Sequence, residues 1–291
     1  MQFLGFKDYR IAGRRLAAEL AIPYQEVGVH RFPDGEHRLT LPLPVAETVL
    51  VCRSLFEPNS KLVDLLLLSE TARSHGARNL VLVAPYLCYM RQDKAFHPGE
   101  AISQHIIGRH LADMFDVVIT VDPHMHRTPS LADAVPAKKA ITLSATHPLA
   151  DHLATSGRDW LLAGPDEESE QWVKSIAELC GLPYIIGRKE RRGDREVSIR
   201  FPDVDIKQRP VALIDDVIST GRTLAESARY LLNGGAEEVQ CFATHLLPHA
   251  GAAATLCEAG VSLVNSTDSI ESAGETIHLA PLLAGAIRQH L

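Results

Sequence analysis

The sequence predicts an α/β protein composed of two tandem, doubly wound parallel-sheet domains. The chain has 291 residues, which is about the length of two ordinary domains. Residues 49–87 and residues 211–247 also share one order of elements. Each has an apolar strand, a polar loop, an amphipathic helix, a Gly-Ala turn and a second apolar strand, as expected of a parallel βαβ unit. We therefore expect one such unit in each domain.

The boundary between the domains is predicted near residues 140–148, which gives domains of residues 1–145 and 146–291. Before it, VVITVDPHMHR (117–127) predicts a strand followed by a loop. After it, HPLADHLAT (147–155) opens a helix. The chain ends in an apolar helix, APLLAGAIRQHL, which could pack on either domain.

Two hairpins are predicted, one in each domain. In the first, HRFPDGEHRLTL has a Pro-Asp-Gly turn between two extended segments. In the second, residues 159–181 predict a strand, a loop and a helix, and residues 183–201 then predict two strands separated by a charged tip.

Composition excludes several classes of protein. The net charge is −7 and the basic residues form no broad stripe, which argues against a nucleic-acid partner. The longest apolar runs, such as LVDLLLL, are too short to span a bilayer, and the first residues lack a signal-peptide pattern. We therefore expect a cytoplasmic protein with no membrane partner.

The sequence shows no metal motif made of cysteine or histidine. Five cysteines without C-x-x-C spacing are expected to be free thiols, most of them buried: Cys52, Cys88, Cys180, Cys241 and Cys257. Three closely spaced histidines, His97, His105 and His110, are expected at the surface or in caps.

The most informative stretch is VALIDDVISTGRTL (211–224), which predicts a buried strand, a tight loop and the start of a helix. The N-terminus of a helix can bind a phosphate, and Gly221 allows the backbone to approach it. Asp215 and Asp216 would repel that phosphate unless they bind sugar hydroxyls or a divalent cation. The alternative is that the acids are solvated strand ends and that the Ser and Thr residues cap the helix.

This stretch resembles the phosphoribosyl-binding loop of type I phosphoribosyltransferases and of ribose-phosphate diphosphokinases, the PRPP synthetases. The resemblance implies phosphoribosyltransferase-type domains. It also implies that Asp215 and Asp216 hold ribose hydroxyls, directly or through a cation. The residues expected to bind ribose 5-phosphate through its phosphate are Ser219, Thr220, Gly221, Arg222 and Thr223.

The loop departs from the D-D-x-x-D-T-A-G-T of many PRPP synthetases. It has Ser219 for the third acid, Gly221 for Ala and Arg222 for Gly, so it leans toward the transferase version. The first copy of the repeat has Arg53-Ser54 where the second has Asp215-Asp216, and it has Glu57-Pro58-Asn59 where the second has Ser219-Thr220-Gly221. Only the second copy therefore keeps the phosphate loop.

Two further segments resemble the ATP-binding segments of the PRPP synthetases. In the Phe32–Glu36 turn, the resemblance implies that Phe32 stacks on the adenine while Asp34 and Glu36 accept hydrogen bonds from its amine. After the second strand of the first repeat, Arg91, Gln92 and Asp93 would contact the nucleotide and its phosphates. The alternatives are an ordinary hairpin turn and a solvated loop. A transferase would need neither segment.

The resemblance also implies a Mg²⁺ site and a catalytic hairpin. His124, in Asp122-Pro123-His124, and Asp166, in Gly164-Pro165-Asp166, match the family's metal-site residues, although each could instead cap a loop. Lys189 and Arg191, in the charged hairpin, match the K-x-R of the family's catalytic flexible loop. Such cations could neutralise the triphosphate during transfer, although a charge run is usually a solvated turn.

The resemblance therefore implies Mg²⁺-dependent transfer of diphosphate from ATP to the C1 hydroxyl of ribose 5-phosphate. A phosphoribosyltransferase that uses PRPP and a nucleobase remains an alternative, as does a catalytically silent regulatory homologue. Family members commonly assemble through the first domain, so a homo-oligomer, either a dimer or a multiple of dimers, is expected. The family's allosteric phosphate residues have no recognisable counterparts here.

Overall fold

The computed structural model describes residues 1–125, 127–192, 196–248, 251–271 and 276–291, without the side chains of residues 189–192 and 196–198. The chain forms two compact units. The first comprises Met1–Ser144, Ser269–Glu271 and Leu279–Leu291, and the second is formed mainly by Ala145–Asp268. The C-terminal helix therefore belongs to the first unit.

The first unit contains a parallel sheet whose six strands, among the described residues, have the order β2-β1-β5-β6-β7-β8. A separate antiparallel hairpin is formed by β3 and β4. The elements are β1 (Gln2–Gly5), α1 (Arg10–Glu19), β2 (Tyr24–Glu26), β3 (Gly28–Arg31), β4 (His37–Thr40), β5 (Thr48–Cys52), α2 (Pro58–Ser74), β6 (Asn79–Ala84), α3 (Ser103–Met114), β7 (Val117–Val121), α4 (Leu131–Ala134), β8 (Lys139–Leu143) and α9 (Ala280–His290).

The second unit contains a parallel sheet with the order β10-β9-β13-β14-β15 and an antiparallel hairpin of β11 and β12. Its elements are α5 (Thr146–Thr155), β9 (Leu161–Gly164), α6 (Glu170–Cys180), β10 (Tyr184–Ile186), β11 (Arg188–Arg192), β12 (Glu196–Arg200), β13 (Pro210–Ile218), α7 (Arg222–Asn233), β14 (Glu238–Leu246), α8 (Ala252–Glu258) and β15 (Val261–Ser266).

The predicted fold class is confirmed, because both main sheets are parallel and are connected through helices. The central strands are continuous apolar runs that are buried on both faces, as parallel sheets covered by helices require. Residues 49–52 of β5 and 211–214 of β13, for example, have no exposed surface. Hydrophobic burial of these strands is the main stabilising contribution to each sheet.

The predicted repeat is confirmed as two parallel βαβ units, β5-α2-β6 and β13-α7-β14. The Gly-Ala turn has the same conformation in both copies, since Gly76 and Gly235 have φ values of 99° and 97°. A residue with a side chain rarely adopts this conformation. The two glycines therefore allow the helix in each copy to turn directly into its second strand.

The two predicted hairpins are also present. Arg31 pairs with His37 across the Pro33-Asp34-Gly35 turn, and Arg188 pairs with Arg200 at the base of the charged hairpin. Within the described residues, no helix combines the length and hydropathy needed to cross a bilayer.

Two helical glycines provide a matched test of packing in the first unit. A Cβ atom at Gly108, on α3, would overlap the carbonyl oxygen of Ala134, whereas a Cβ at Gly285, on α9, would meet no heavy atom within 4 Å. We expect Gly108→Ala to lower the midpoint of thermal unfolding because overpacking costs about 1–3 kcal/mol. Gly285→Ala should raise the midpoint slightly, since alanine is more favourable than glycine within an exposed helix by roughly 0.5–1 kcal/mol. Equal midpoints for the two variants, measured by calorimetry, would contradict this packing.

Candidate active site

The loop between β13 and α7 has the geometry of a phosphate-binding site. Gly221 precedes the helix with a φ of 75°, and a Cβ there would lie 3.1 Å from Leu256 Cγ and 3.3 Å from the Ala252 carbonyl oxygen. Glycine is therefore favoured by both conformation and space. The helix begins at Arg222, and its first turn directs backbone N–H groups and a partial positive charge toward the loop.

The five predicted phosphate-binding residues lie together around this helix start. Thr220 and Arg222 are exposed, Ser219 and Thr223 are half-buried, and Gly221 is buried. A solute can reach the exposed residues directly. The loop therefore combines an accessible cation and hydroxyl with the helix N-terminus, which is suited to an anionic ligand.

Asp215 and Asp216 lie on β13, which continues to Ile218 before the loop begins. Asp216 is only 4% exposed and Asp215 is half-buried. Burial, followed by the charges of Asp216 and Asp166, raises the pKa of Asp215 well above its ordinary value. The Asp216 backbone N–H donates to Asp215 Oδ1 over 3.0 Å and opposes the shift. A bound cation or hydroxyl donors would stabilise the ionised pair.

Asp166 caps the short 3₁₀ turn Glu167–Ser169 that follows β9. Its Oδ1 accepts the backbone N–H groups of Glu168, over 3.1 Å, and Ser169, over 3.3 Å. The structure therefore shows the capping role of Asp166. Because the charge of Asp166 also contributes to the raised pKa of Asp215, Asp166 lies near the acid pair. Its role as a metal ligand stays a prediction.

The carboxylates that follow β9 and lie on β13 are suited to Mg²⁺. Carboxylate oxygens are hard ligands, and Mg²⁺ is usually held by one or two of them together with water and substrate phosphates. In the described part of the chain, no group of three or more His, Cys, Asp or Glu residues is arranged to hold a metal by itself. Asp215 and Asp216 therefore suit a cation whose coordination is completed by a ligand.

The charged hairpin starts immediately after the edge strand of the second sheet. In its register, Lys189 is opposite Ile199 and Arg191 is opposite Val197. The side chains of Lys189 and Arg191 lie outside the described residues, so their predicted role rests on the backbone position alone. His126 also lies outside the description.

In the first unit, the Phe32–Glu36 turn presents an aromatic ring beside two acids. The Phe32 ring is 37% exposed and makes an edge contact with His30, with 4.8 Å between ring centroids. The Phe32 N–H donates to the Glu36 carbonyl over 2.8 Å, and the Glu36 N–H donates to Asp34 Oδ1 over 3.1 Å. These bonds fix the turn while leaving Asp34 and Glu36 exposed.

A buried ion-pair network anchors this turn, and sequence reasoning missed it. Asp64, on α2, is fully buried; one of its oxygens lies 2.6 Å from His37 Nδ1 and the other accepts from Arg53 Nη1 over 2.8 Å. Arg53 also pairs with Asp8 over 3.1 Å. Arg53 occupies the position that Asp215 has in the second repeat. In the first copy, the charge at the strand end is therefore paired with carboxylates of the protein itself. The signal in the sequence was a single acid within the apolar run LVDLLLL.

The loops after β6 and β7 are joined by an ion pair. Asp93, whose side chain is 3% exposed, accepts from Arg127 Nη1 over 2.9 Å, while Arg91 is exposed. Gln92 Nε2 donates to the Lys94 carbonyl over 3.1 Å. Asp93 therefore has a structural partner, and Arg127 is a cation at this edge that the sequence reasoning did not single out.

Two residues at this edge have strained backbones. Tyr89, after β6, has a φ of 61°, and Asp122, after β7, has a φ of 36°. Non-glycine residues in this region carry strain and often occur at functional sites. Tyr89 lies two residues before Arg91, and Asp122 lies two residues before His124, which is half-buried. The carboxyl ends of β6 and β7 thus carry the residues that the sequence predicted there.

Comparison with known proteins gives matches along both halves of the chain. Residues 1–116 match the family model described as the N-terminal domain of ribose phosphate pyrophosphokinase, and residues 132–271 match the phosphoribosyl transferase domain. The ribose-phosphate pyrophosphokinase of Methanopyrus kandleri is 36% identical over 94% of each chain. That of Methanosarcina acetivorans is 32% identical over 99% of this chain and 100% of its own.

The fold also matches a solved structure. The phosphoribosylpyrophosphate synthetase from Mycobacterium smegmatis superposes with a TM-score of 0.83 at 23% identity, covering 99% of this chain and 98% of that one. At this identity the match concerns the fold, which is shared over nearly the whole length.

The raised pKa of Asp215 predicts that Asp215→Asn stabilises the ligand-free protein. Below pH 3.8, the ordinary pKa, Asp215 is protonated in both the folded and the unfolded state and the two proteins should differ little. As the pH rises, the unfolded state ionises first, so the wild type loses stability relative to Asp215→Asn until the folded pKa is passed. Thermal unfolding midpoints between pH 4 and pH 9 measure this difference.

The matched control is Asp203→Asn, which changes an exposed carboxylate of the same unit. A gap between wild type and Asp215→Asn that does not widen with pH would show that the carboxylate is not strained by its surroundings.

Proposed function

The chain belongs to the ribose-phosphate pyrophosphokinase family, and we propose that it transfers diphosphate from ATP to the C1 hydroxyl of ribose 5-phosphate. The products are 5-phosphoribosyl 1-diphosphate (PRPP) and AMP. The observation that carries the proposal is the strand, acid pair and helix start of β13 and α7. They occur in a chain whose first half matches the N-terminal domain of this family and whose second half matches the phosphoribosyl transferase domain. The segments that resemble ATP sites favour the synthetase over a transferase.

Ribose 5-phosphate binds through its two ends in this proposal. Its phosphate lies at the α7 N-terminus, where Thr220, Arg222 and the first-turn N–H groups supply positive charge and donors. Its 2- and 3-hydroxyls lie against Asp215 and Asp216, which can accept hydrogen bonds. The raised pKa of Asp215 supports this arrangement, because ligand contacts offset the cost of ionising it.

ATP binds through residues of the first domain, 1–145. Phe32 is exposed enough to stack on adenine, and Asp34 and Glu36 lie on the same turn as acceptors for the amine. Arg91 meets the phosphates and Gln92 the nucleotide, while Asp93 contributes by orienting Arg127. The His37–Asp64 contact connects the residue that follows this turn to α2.

The chemical step is an in-line displacement at phosphorus. The anomeric hydroxyl oxygen forms a bond to the β-phosphorus of ATP, and the bond from that phosphorus to the bridging α–β oxygen breaks. AMP leaves with the electron pair of that bond, and the proton of the attacking hydroxyl is released to solvent. Lys189 and Arg191, from the hairpin of the second domain, 146–291, neutralise the charge that develops in this transition state.

The carboxylates of Asp215, Asp216 and Asp166 suit Mg²⁺, and His124 is a further residue that would hold it. When bound, it would shield the phosphates and offset the charge of the acid pair. We assign the reaction to the cytoplasm, where all five cysteines would be maintained as the free thiols seen here.

We further propose a homo-oligomer, a dimer or a multiple of dimers, assembled through α2. Three apolar residues spaced as neighbours on one face of this helix are exposed: Val63 by 52%, Leu66 by 50% and Leu67 by 37%. Leu65 and Leu68, on the opposite face, are buried in the core of the unit. A helix that is apolar on both faces is typical of one covered on both sides.

Phosphorus NMR of the protein with ATP, Mg²⁺ and ribose 5-phosphate tests the reaction. We expect AMP together with a diphosphate ester at C1, only when ribose 5-phosphate is present, because the acceptor supplies the attacking hydroxyl. Lys189→Ala should lower turnover by about 100-fold or more with little change in substrate affinity, since it acts on the transition state.

PRPP consumption with a nucleobase and without ATP would instead establish the phosphoribosyltransferase alternative, which the S-T-G-R-T loop favours. Absence of both reactions, with ATP binding also lost, would indicate a regulatory homologue.

The assembly is tested by Leu66→Glu, whose control is Leu263→Glu, a leucine of similar exposure on β15. We expect Leu66→Glu to sediment at a lower mass than the wild type, and at half that mass if the wild type is a dimer, because a buried unpaired carboxylate costs several kcal/mol. Leu263→Glu should sediment as the wild type does. An unchanged mass for Leu66→Glu would remove α2 from the interface.

A further inference from the structure

The return strand of the charged hairpin runs along α7. Ile199, on β12, donates its backbone N–H to Glu226 Oε1 over 3.0 Å. Two residues later, the Phe201 ring lies 5.7 Å from the ring of Tyr230, which is one helical turn beyond Glu226. Two strand residues span about 6.6 Å and four helix residues about 6 Å. The spacing of the two contacts along the strand therefore matches their spacing along the helix.

The Ile199–Glu226 hydrogen bond fixes the strand at a defined point. Ile199 is 3% exposed, so its N–H needs a protein partner, and a carboxylate is a strong acceptor. In an antiparallel ladder, the N–H and C=O of one residue point to the same side. Because this N–H is directed at Glu226, Ile199 and its partner Lys189 form a non-hydrogen-bonded pair, with Cα atoms about 4.5 Å apart.

The other strand of the hairpin is held just as closely at its base. Gly187 donates its backbone N–H to the Gly164 carbonyl over 2.8 Å. A Cβ at Gly187 would lie 2.6 Å from the Pro165 carbonyl oxygen and 3.0 Å from Ile199 Cγ2. The base of the hairpin is therefore packed between the loop that carries Asp166 and the helix that carries Glu226.

We propose that Glu226 is a positioning residue, which acts through Ile199 to hold the backbone of Lys189 at a fixed place relative to α7. Glu226 lies four residues after Arg222, so one helix carries both the phosphate site and the anchor of the hairpin. The proposal rests on the function assigned above, since it gives Glu226 a part in the same transfer. None of the motifs in the loop or hairpin includes Glu226.

The test compares Glu226→Ala with Glu226→Gln, which keeps an acceptor oxygen. In Glu226→Ala we expect kcat to fall between about 5- and 50-fold, because misplacing a catalytic group by an ångström is costly. The dissociation constant for ribose 5-phosphate without ATP should stay within about twofold. Amide exchange of residues 197–201 should quicken about tenfold or more. Glu226→Gln should restore kcat and exchange to near wild-type values.

The control is Glu178→Ala, which removes an exposed carboxylate from α6 and should change none of these quantities. A merely structural role for Glu226 would weaken ribose 5-phosphate binding as well, or would lower kcat equally in Glu226→Gln, and either result overturns the proposal. Unchanged exchange or unchanged kcat in Glu226→Ala does so too.

Failure of the proposed function is distinguished by the wild type, which would then form no AMP from ATP and ribose 5-phosphate. The exchange measurement needs no substrate. It therefore continues to report whether Glu226 holds Ile199, and unchanged exchange in Glu226→Ala would overturn the positioning role on its own.

Discussion

Two adjacent carboxylates on a buried strand are the constraint on which the candidate site of the second unit depends. Asp215 and Asp216 are neighbours on a buried strand, and burial together with the charges of Asp216 and Asp166 raises the pKa of Asp215. Such an arrangement lowers the stability of the ligand-free protein. This loss of stability is offset when sugar hydroxyls or a cation bind to the acids and an anion binds at the helix N-terminus. The strain is therefore an expected property of a site that must bind both.

The first unit shows the alternative solution to the same structural problem. Its repeat has the same strand, helix and turn, but Arg53 replaces the first acid and is paired with the buried Asp64 and with Asp8. Buried charges need partners, and here all partners come from the chain itself. The strand end of the first copy thus carries an ion-paired cation, whereas that of the second carries the acid pair that we propose binds a ligand.

The candidate site depends on residues that hold it in place as well as on residues expected to contact substrates. His37 connects the Phe32–Glu36 turn to α2 through Asp64, and Asp93 fixes Arg127. In the second unit, Glu226 connects the hairpin to α7. Each contact joins a loop or hairpin to a regular element, and catalytic groups need this rigidity because small displacements reduce their effect strongly.

The sequence by itself determined the fold class, the repeated βαβ unit, both hairpins and the phosphate loop. These depend on local periods and on turn residues such as Gly76, Gly235 and Gly221, which are readable in order along the chain. Only the tertiary structure decided that the C-terminal helix belongs to the first unit and that Asp64, Arg127 and Glu226 have partners. Those partners are distant in sequence, at separations of 27 residues for both Asp64 with His37 and Glu226 with Ile199. A single charged residue in a helix gives no local sign of its partner, because folding alone brings the two together.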